Sequence, residues 1–361
     1  MDRNGPHIAA TAREAAATEH RSARIAEMMD RYLGEDVMRG FADDRVTEIY
    51  VNPQDGLIRF DTRDRGKVSA EAHIASRRVE QFLNAVADLH GLVLGGNNPQ
   101  VQAELPMERF GGARLQGFLP PLAGGPSFVV RKPPSVVYPL EDYVRKGILG
   151  PGGKDLLQEA VDRHWNLLIA GGTGSGKTTF ANALLKEITD RCPSERIVIL
   201  EDTVELQCAA ADHLALRTCG PVTLAQLVRH TLRAYPDRIV VGEVRGPEAL
   251  DLLDAWSTGH PGGLGTFHAQ DAPGALLRLD RLCQRAGVPS QVELIAEAVD
   301  LVVLLEGTHS GRRIKDLVRV HGLRPDGSFD LERFSAGERE TFAATEEPGA
   351  QVTLRQHIPT Q

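Results

Sequence analysis

The sequence predicts an α/β protein, with a mostly parallel, helix-covered sheet in its C-terminal half and a smaller α+β domain before it. Three observations carry this reading. Five apolar runs, at Asn166–Ala170, Arg196–Leu200, Asp237–Glu243, Leu264–His268 and Leu301–Glu306, are separated by helical stretches. Each run is apolar at most consecutive positions rather than at alternate ones, which marks strands buried on both faces. The first run leads straight into Gly171–Thr178, which fits the phosphate-binding pattern G-x-x-x-x-G-K-[ST], and a helical stretch rich in Ala and Leu follows.

Taken in order, residues 1–20 are polar and Ala-rich and read as a frayed helix or a disordered arm. An α+β domain is expected over 21–131. It opens with a helix over 21–42, where Ile25, Met28, Met29, Tyr32 and Leu33 recur at helical spacing. Val46–Val51 and Leu57–Phe60 form a strand pair around the turn residues Asn52-Pro53-Gln54-Asp55-Gly56. Ser76–His90 is an amphipathic helix, and Ala103–Leu105, Ala113–Phe118 and Ser127–Arg131 are short strands. Residues 132–150 carry three prolines and two glycines and read as an interdomain linker with a short helix. The domain bearing the glycine loop spans 151–334 and closes with a strand pair, Ile314–Val320 and a segment near Ser328–Phe334. The tail, 335–361, reads as disordered.

The chain has 361 residues, 42% hydrophobic and 25% charged, which suits a globular protein of two domains. A net charge of −8 argues against a dedicated nucleic-acid binder, whose domain is usually basic. The four cysteines form no C-x-x-C pair, so no zinc ribbon or thioredoxin-like motif is expected. No run of about 18 apolar residues predicts a membrane span, and the first residues lack the apolar core of a secretory signal. The expected location is the cytoplasm.

The glycine loop explains its own composition. A polyphosphate must lie against backbone N–H groups, and an inward Cβ would block it, hence four glycines in the eight residues Gly171, Gly172, Thr173, Gly174, Ser175, Gly176, Lys177 and Thr178. The helix starting near Lys177, with Thr179 next in its first turn, adds free N–H groups and a positive dipole end. Lys177 is expected to reach the β- and γ-phosphates, and the Thr178 hydroxyl to bind Mg²⁺.

Nucleotide hydrolysis also needs acidic groups near the metal and the attacking water. Glu201 follows the second apolar run and Glu243 the third, so both stand where strand ends line a ligand crevice. Acidic residues after a strand also serve as helix caps. Gly242 takes the place where an Asp commonly ends the second acidic motif, leaving Glu243 to hold Mg²⁺ through a water or to activate the attacking water, with Glu201 competing for that role. His268 ends the fourth run and is either structural or a γ-phosphate sensor. Arg114, Arg131 and Arg245 are the candidates for a transition-state guanidinium; for Arg114 and Arg131 a surface ion pair is the plainer reading.

With these motifs in place, the chain resembles the secretion-superfamily traffic ATPases, specifically conjugal-transfer ATPases of the TrbB type. Four boxes carry the resemblance in order: GGTGSGKTT, ILEDTVEL, RIVVGEVRG and TGHPGGLGTFHA. VTEIYVNP, GARLQGFLPP and SFVVRKP extend it through the N-terminal half, over about residues 25–325. The Gly-Glu at 242–243 is usual in that family. The resemblance implies a RecA-like P-loop NTPase domain, ATP and Mg²⁺, and a hexameric ring with nucleotide held between the two domains of one chain. It implies a peripheral position at the cytoplasmic face of the inner membrane, beside inner-membrane and cytoplasmic components of a secretion channel. It matches Arg131 and Arg114 to arginines that face the γ-phosphate, Arg245 to the arginine after the second acidic motif, Glu201 to the Asp-box glutamate and His268 to the His-box histidine. Three other readings stand beside it: a type II secretion or type IV pilus motor of the same superfamily, a helicase-like nucleic-acid motor, and a nucleotide-switched scaffold with little turnover.

Overall fold

The structure, a computed structural model, describes residues 22–134, 136–308, 311–335 and 338–344. The arm over 1–20 lies outside the described residues. The chain forms two compact units that divide between Val136 and Val137.

The first unit begins with helix α1 over 22–33 and α2 over Glu35–Ala42. The sequence reads as one helix here, but Gly34 sits at φ 78° and breaks it in two. Strands β1 (Val46–Val51), β2 (Leu57–Thr62) and β3 (Gly66–His73) follow, then α3 (Ser76–Leu89), β4 (Gln100–Glu104), a short α4 (Met107–Phe110), β5 (Arg114–Phe118) and β6 (Ser127–Arg131). The six strands form one antiparallel sheet in the order β3-β2-β1-β6-β5-β4. Ile49, Leu115, Phe128 and Val130 join Met29, Leu33, Val37, Phe82 and Leu83 from the helices in a single core. Val129, between two buried neighbours, is exposed, as expected when a sheet is covered on one face. Lys132 ties the end of α2 to the sheet: its Nζ donates to the carbonyls of Gly40, Phe41 and Asp43 at 3.1, 2.6 and 2.8 Å, satisfying acceptors that a helix C-terminus leaves open.

The second unit contains α5 (Leu140–Arg145), α6 (Pro151–Asp162), β7 (Leu167–Gly171), α7 (Lys177–Arg191), β8 (Ile197–Glu201), β9 (His213–Arg217) and α8 (Leu224–Thr231). It continues with β10 (Arg238–Val241), α9 (Glu248–Ser257), β11 (Leu264–Phe267), α10 (Ala272–Gln284) and α11 (Val292–Ala298). It ends with β12 (Leu301–Thr308), β13 (Gly311–Leu323), β14 (Phe329–Ser335) and β15 (Glu338–Ala344). The stretch read as a linker is thus largely part of this unit, because Leu140, Tyr143 and Leu149 are buried in its core. The tail read as disordered from Ser335 is a strand over Glu338–Ala344, paired antiparallel with β14.

The nine strands are ordered β15-β14-β13-β12-β7-β11-β10-β8-β9, with β7 at the centre. From β9 to β12 every pairing is parallel; β12 to β15 run antiparallel. Alternate residues of β7 enter two separate cores: Leu167 and Ile169 meet Leu157, Phe180 and Leu184 on the α6–α7 side, and Leu168 and Ala170 meet Leu252, Trp256 and Leu276 on the α9–α10 side. Two-sided burial is why these strands read as unbroken apolar runs. At the start of β7 the buried Asn166 amide joins three segments, donating to Ala298 O at 2.7 Å and accepting from Gly263 N at 2.9 Å. That clamp sets the position of the strand that delivers the glycine loop.

Candidate active site

The central strand β7 ends at Gly171, the loop turns through 172–176, and α7 starts at Lys177. Gly171 and Gly176 are required by close contacts, and Gly174 by its backbone, at φ 73°. A Cβ at Gly171 would lie 2.5 Å from both Leu305 O and Ser175 Oγ, and Gly176 sits at φ 95° with Arg312 Cδ 2.9 Å from its Cβ position. Gly172 and Gly174 face open space, with nothing within 4 Å of a Cβ. Gly176 is the N-cap of α7, and the helix has neither a capping side chain nor an acidic residue in its first turn. An uncapped, positive helix end behind an open glycine loop fits a polyphosphate anion. The buried Ser175 Oγ has no hydrogen-bond partner among the described residues. Thr173 is exposed in the loop, and Thr178 and Thr179 are half-buried in the first turn of α7.

Lys177 is buried and folds back over the loop. Its Nζ donates to Gly171 O at 3.1 Å and Gly172 O at 3.0 Å, and lies 3.4 Å from His268 Nδ1. His268 follows β11, the neighbour of β7, and its Nε2 lies 3.1 Å from Glu243 Oε1. That approach is not aligned as a hydrogen bond, so Glu243 Oε1 keeps unused acceptor capacity. Thr266 holds the two strand ends together: its Oγ1 donates to Gly242 O at 2.5 Å, and its carbonyl accepts from Val244 N at 2.8 Å. Lys177, His268 and Glu243 thus come from the ends of α7's loop, β11 and β10 into one charged cluster.

Burial works to raise the Glu243 carboxyl, but the hydrogen bond and charge of Arg245, with His268 and Lys177, pull it below its usual value. Burial and the Lys177 charge lower His268, with Glu243 and the Gly171 carbonyl opposing. Glu243 is therefore anionic at neutral pH and His268 mainly neutral. Arg245 is paired to Glu243 Oε2, so its first role is to hold that carboxylate.

Glu201, at the end of β8, is held by the loop that follows it. It is 4% exposed, and its Oε1 accepts from the backbone N–H groups of Glu205 and Leu206, both at 2.9 Å. Its side chain also lies over Gly242: a Cβ there would meet Glu201 Cγ at 2.8 Å and Oε1 at 3.0 Å. Gly242 is thus a glycine because Glu201 occupies the space an Asp side chain would need. Arg114 and Arg131 belong to the first unit, at register-matched positions of β5 and β6. Directly opposite residues share a face. The row continues to Glu104 beside Arg114 and Glu48 beside Arg131. Sequence reading missed Glu248, whose Oε1 accepts from Arg245 N at 2.6 Å and Gly246 N at 2.7 Å and shapes the turn after Glu243. Its signal was an acidic residue opening a helix right after the acidic motif. Among the described residues no group of three or more His, Cys, Asp or Glu side chains is arranged to hold a metal.

Residues 26–319 match the family described as type II/IV secretion system protein, and the chain belongs to that family. Among its relatives are the probable conjugal transfer protein TrbB of Sinorhizobium fredii, 40% identical over 309 residues, covering 86% of this chain and 93% of the relative. TrbB of Rhizobium radiobacter is 39% identical over 321 residues, with 89% and 98% covered. The type IV secretion system protein PtlH of Bordetella pertussis is 32% identical over 317 residues, with 77% and 91% covered. Two solved structures share the fold: the Legionella pneumophila ATPase DotB at 20% identity and TM-score 0.56, covering 77% of this chain and 78% of that one, and the pilus retraction motor PilT with bound ADP at 18% and 0.57, covering 84% and 83%. No helix among the described residues is long and apolar enough to cross a membrane.

Proposed function

We propose that this chain is an ATP-hydrolysing motor of a conjugative type IV secretion system, with a RecA-like P-loop domain that works as a ring of several copies, six by family resemblance. The single observation that carries the ATPase reading is the convergence of Lys177, His268 and Glu243 beside the uncapped start of α7. The conjugative assignment rests on identity to TrbB proteins along nearly their whole length.

The bound nucleotide lies along the glycine loop, its phosphates on the N–H groups of 172–179, and Lys177 turns from the Gly171 and Gly172 carbonyls to the β- and γ-phosphates. Mg²⁺ is bound in such sites by few protein groups plus substrate phosphates. The Thr178 hydroxyl and Glu243, through a water, are the groups that would hold it. A bound Mg²⁺ would neutralise charge that develops on the phosphates.

Glu243 is kept anionic by Arg245, so it suits orienting water and metal better than strong proton abstraction. His268, largely neutral and in contact with both Lys177 and Glu243, reports the presence of the γ-phosphate. Glu201 organises the loop at 202–206 with its two backbone hydrogen bonds and makes the lesser metal ligand. Arg114 and Arg131, two like charges side by side on one sheet face, make a pair suited to a phosphate. The working location is the cytoplasmic face of the inner membrane, peripheral, against components of the secretion channel.

The test of the conjugative reading is transfer frequency from donor cells deleted for this gene. Transfer is expected to vanish and to return with the wild-type chain but not with Lys177→Ala. Unimpaired transfer, with loss of pilus-dependent surface movement instead, would assign the chain to a pilus motor.

A further inference from the structure

The β12–β13 hairpin forms a wall against the glycine loop. Leu305 O fills the space at Gly171, and Ser175 Cα lies 3.9 Å from the Cβ position of Gly307. Across from Gly307 in the β13 register stands Arg312. Its Cδ, Nε and Nη1 lie 2.9, 3.4 and 3.5 Å from the Cβ position of Gly176, the N-cap of α7. Because β12 runs parallel to β7 with Leu305 opposite Gly171, Arg312 stands at the same sheet end as the loop.

The charges around it do not balance. Its neighbour Arg313 pairs with Glu306 at 2.7 Å, whereas Arg312 has no ion pair among the described residues. It lies beside the positive end of α7, whose first turn holds no acidic residue, with Lys177 as that turn's first residue. A guanidinium at that end of a helix is repelled unless an anion lies between them. The sheet order then fixes which part of the anion. β11 and β10, which carry His268 and Glu243, lie on one side of β7; β12 and β13 lie on the other. The reacting γ-phosphate belongs to the Glu243–His268 side, so Arg312 faces the other end of the polyphosphate.

We propose that Arg312 is a nucleotide-binding residue that contacts the α/β-phosphates of a nucleoside di- or triphosphate. The assignment rests on the nucleotide reading of the site. It predicts that Arg312 serves ground-state binding and holds ADP as firmly as ATP.

The test is titration of the full-length chain with fluorescent ADP and ATP analogues, for wild type, Arg312→Ala and Arg312→Lys, each with its thermal unfolding midpoint. Arg312→Ala is expected to weaken both nucleotides by about tenfold or more, the scale of a lost charge-assisted hydrogen bond. Arg312→Lys is expected to recover part of the loss, with midpoints unchanged. Wild-type affinity in Arg312→Ala would overturn the assignment, as would a loss confined to the ATP analogue, which would put Arg312 at the γ-phosphate. Equal losses in both variants with lowered midpoints would make Arg312 a packing residue and overturn it too. Binding of neither analogue by the wild-type chain would instead defeat the nucleotide reading itself.

Discussion

Lys177→Ala is expected to abolish ATP turnover, a loss of at least about 10²–10³-fold on the scale of removing one preorganised electrostatic donor. Lys177 is only 8% exposed, and its ammonium donates to the Gly171 and Gly172 carbonyls at the loop. Set in the glycine loop at the positive end of α7, this cation is placed to meet an anion that enters there. Alanine is the best helix former, so α7 keeps its first turn. The variant therefore separates chemistry from folding. Phosphate release under saturating Mg²⁺-ATP is the measurement; turnover at the wild-type level would show that Gly171–Thr178 is not the nucleotide loop.

Glu243→Gln is expected to bind ATP nearly as well as wild type and to hydrolyse it about 10²–10³-fold more slowly, the scale of losing one preorganised electrostatic group. The substitution keeps shape and leaves the glycine loop and α7 untouched. It removes the negative charge that Arg245, His268 and Lys177 stabilise on this carboxylate. Single-turnover hydrolysis set beside nucleotide binding checks it. Normal hydrolysis would take Glu243 out of the chemistry and pass its role to Glu201, whose two backbone hydrogen bonds would then have to rearrange.

The strands that position the site were legible because their burial is two-sided. All five residues of β7 and of β8, and all four of β10 and β11, are buried, so no polar face interrupts the apolar run. Strands with one open face were harder to see. β3, GKVSAEAH, and β9, HLALR, lie at sheet edges, and their exposure alternates along the strand. Charged and small residues there break the hydrophobic signal, as edge strands require. β15, with its sequence ERETFAA, carries equally little apolar signal.

The site shows the same division. Lys177, Glu243 and His268 were readable because a glycine loop and strand ends mark a crevice in any open parallel sheet. The contact of Glu201 with Gly242, which explains the missing Asp, is a meeting of two side-by-side strands 41 residues apart in sequence. Arg312 had no motif at all: it becomes visible only when β13 folds back beside β12 and lays its side chain over Gly176.

The most direct test of the central claim, that this chain is a ring-forming ATPase, is turnover per chain against chain concentration, with and without single-stranded DNA. Turnover that rises with concentration and ignores DNA is the predicted result, since the net charge of −8 gives DNA no general foothold. Turnover per chain that stays constant at dilutions where the chain is monomeric by sedimentation would contradict a ring, and strong stimulation by DNA would make the protein a nucleic-acid motor instead.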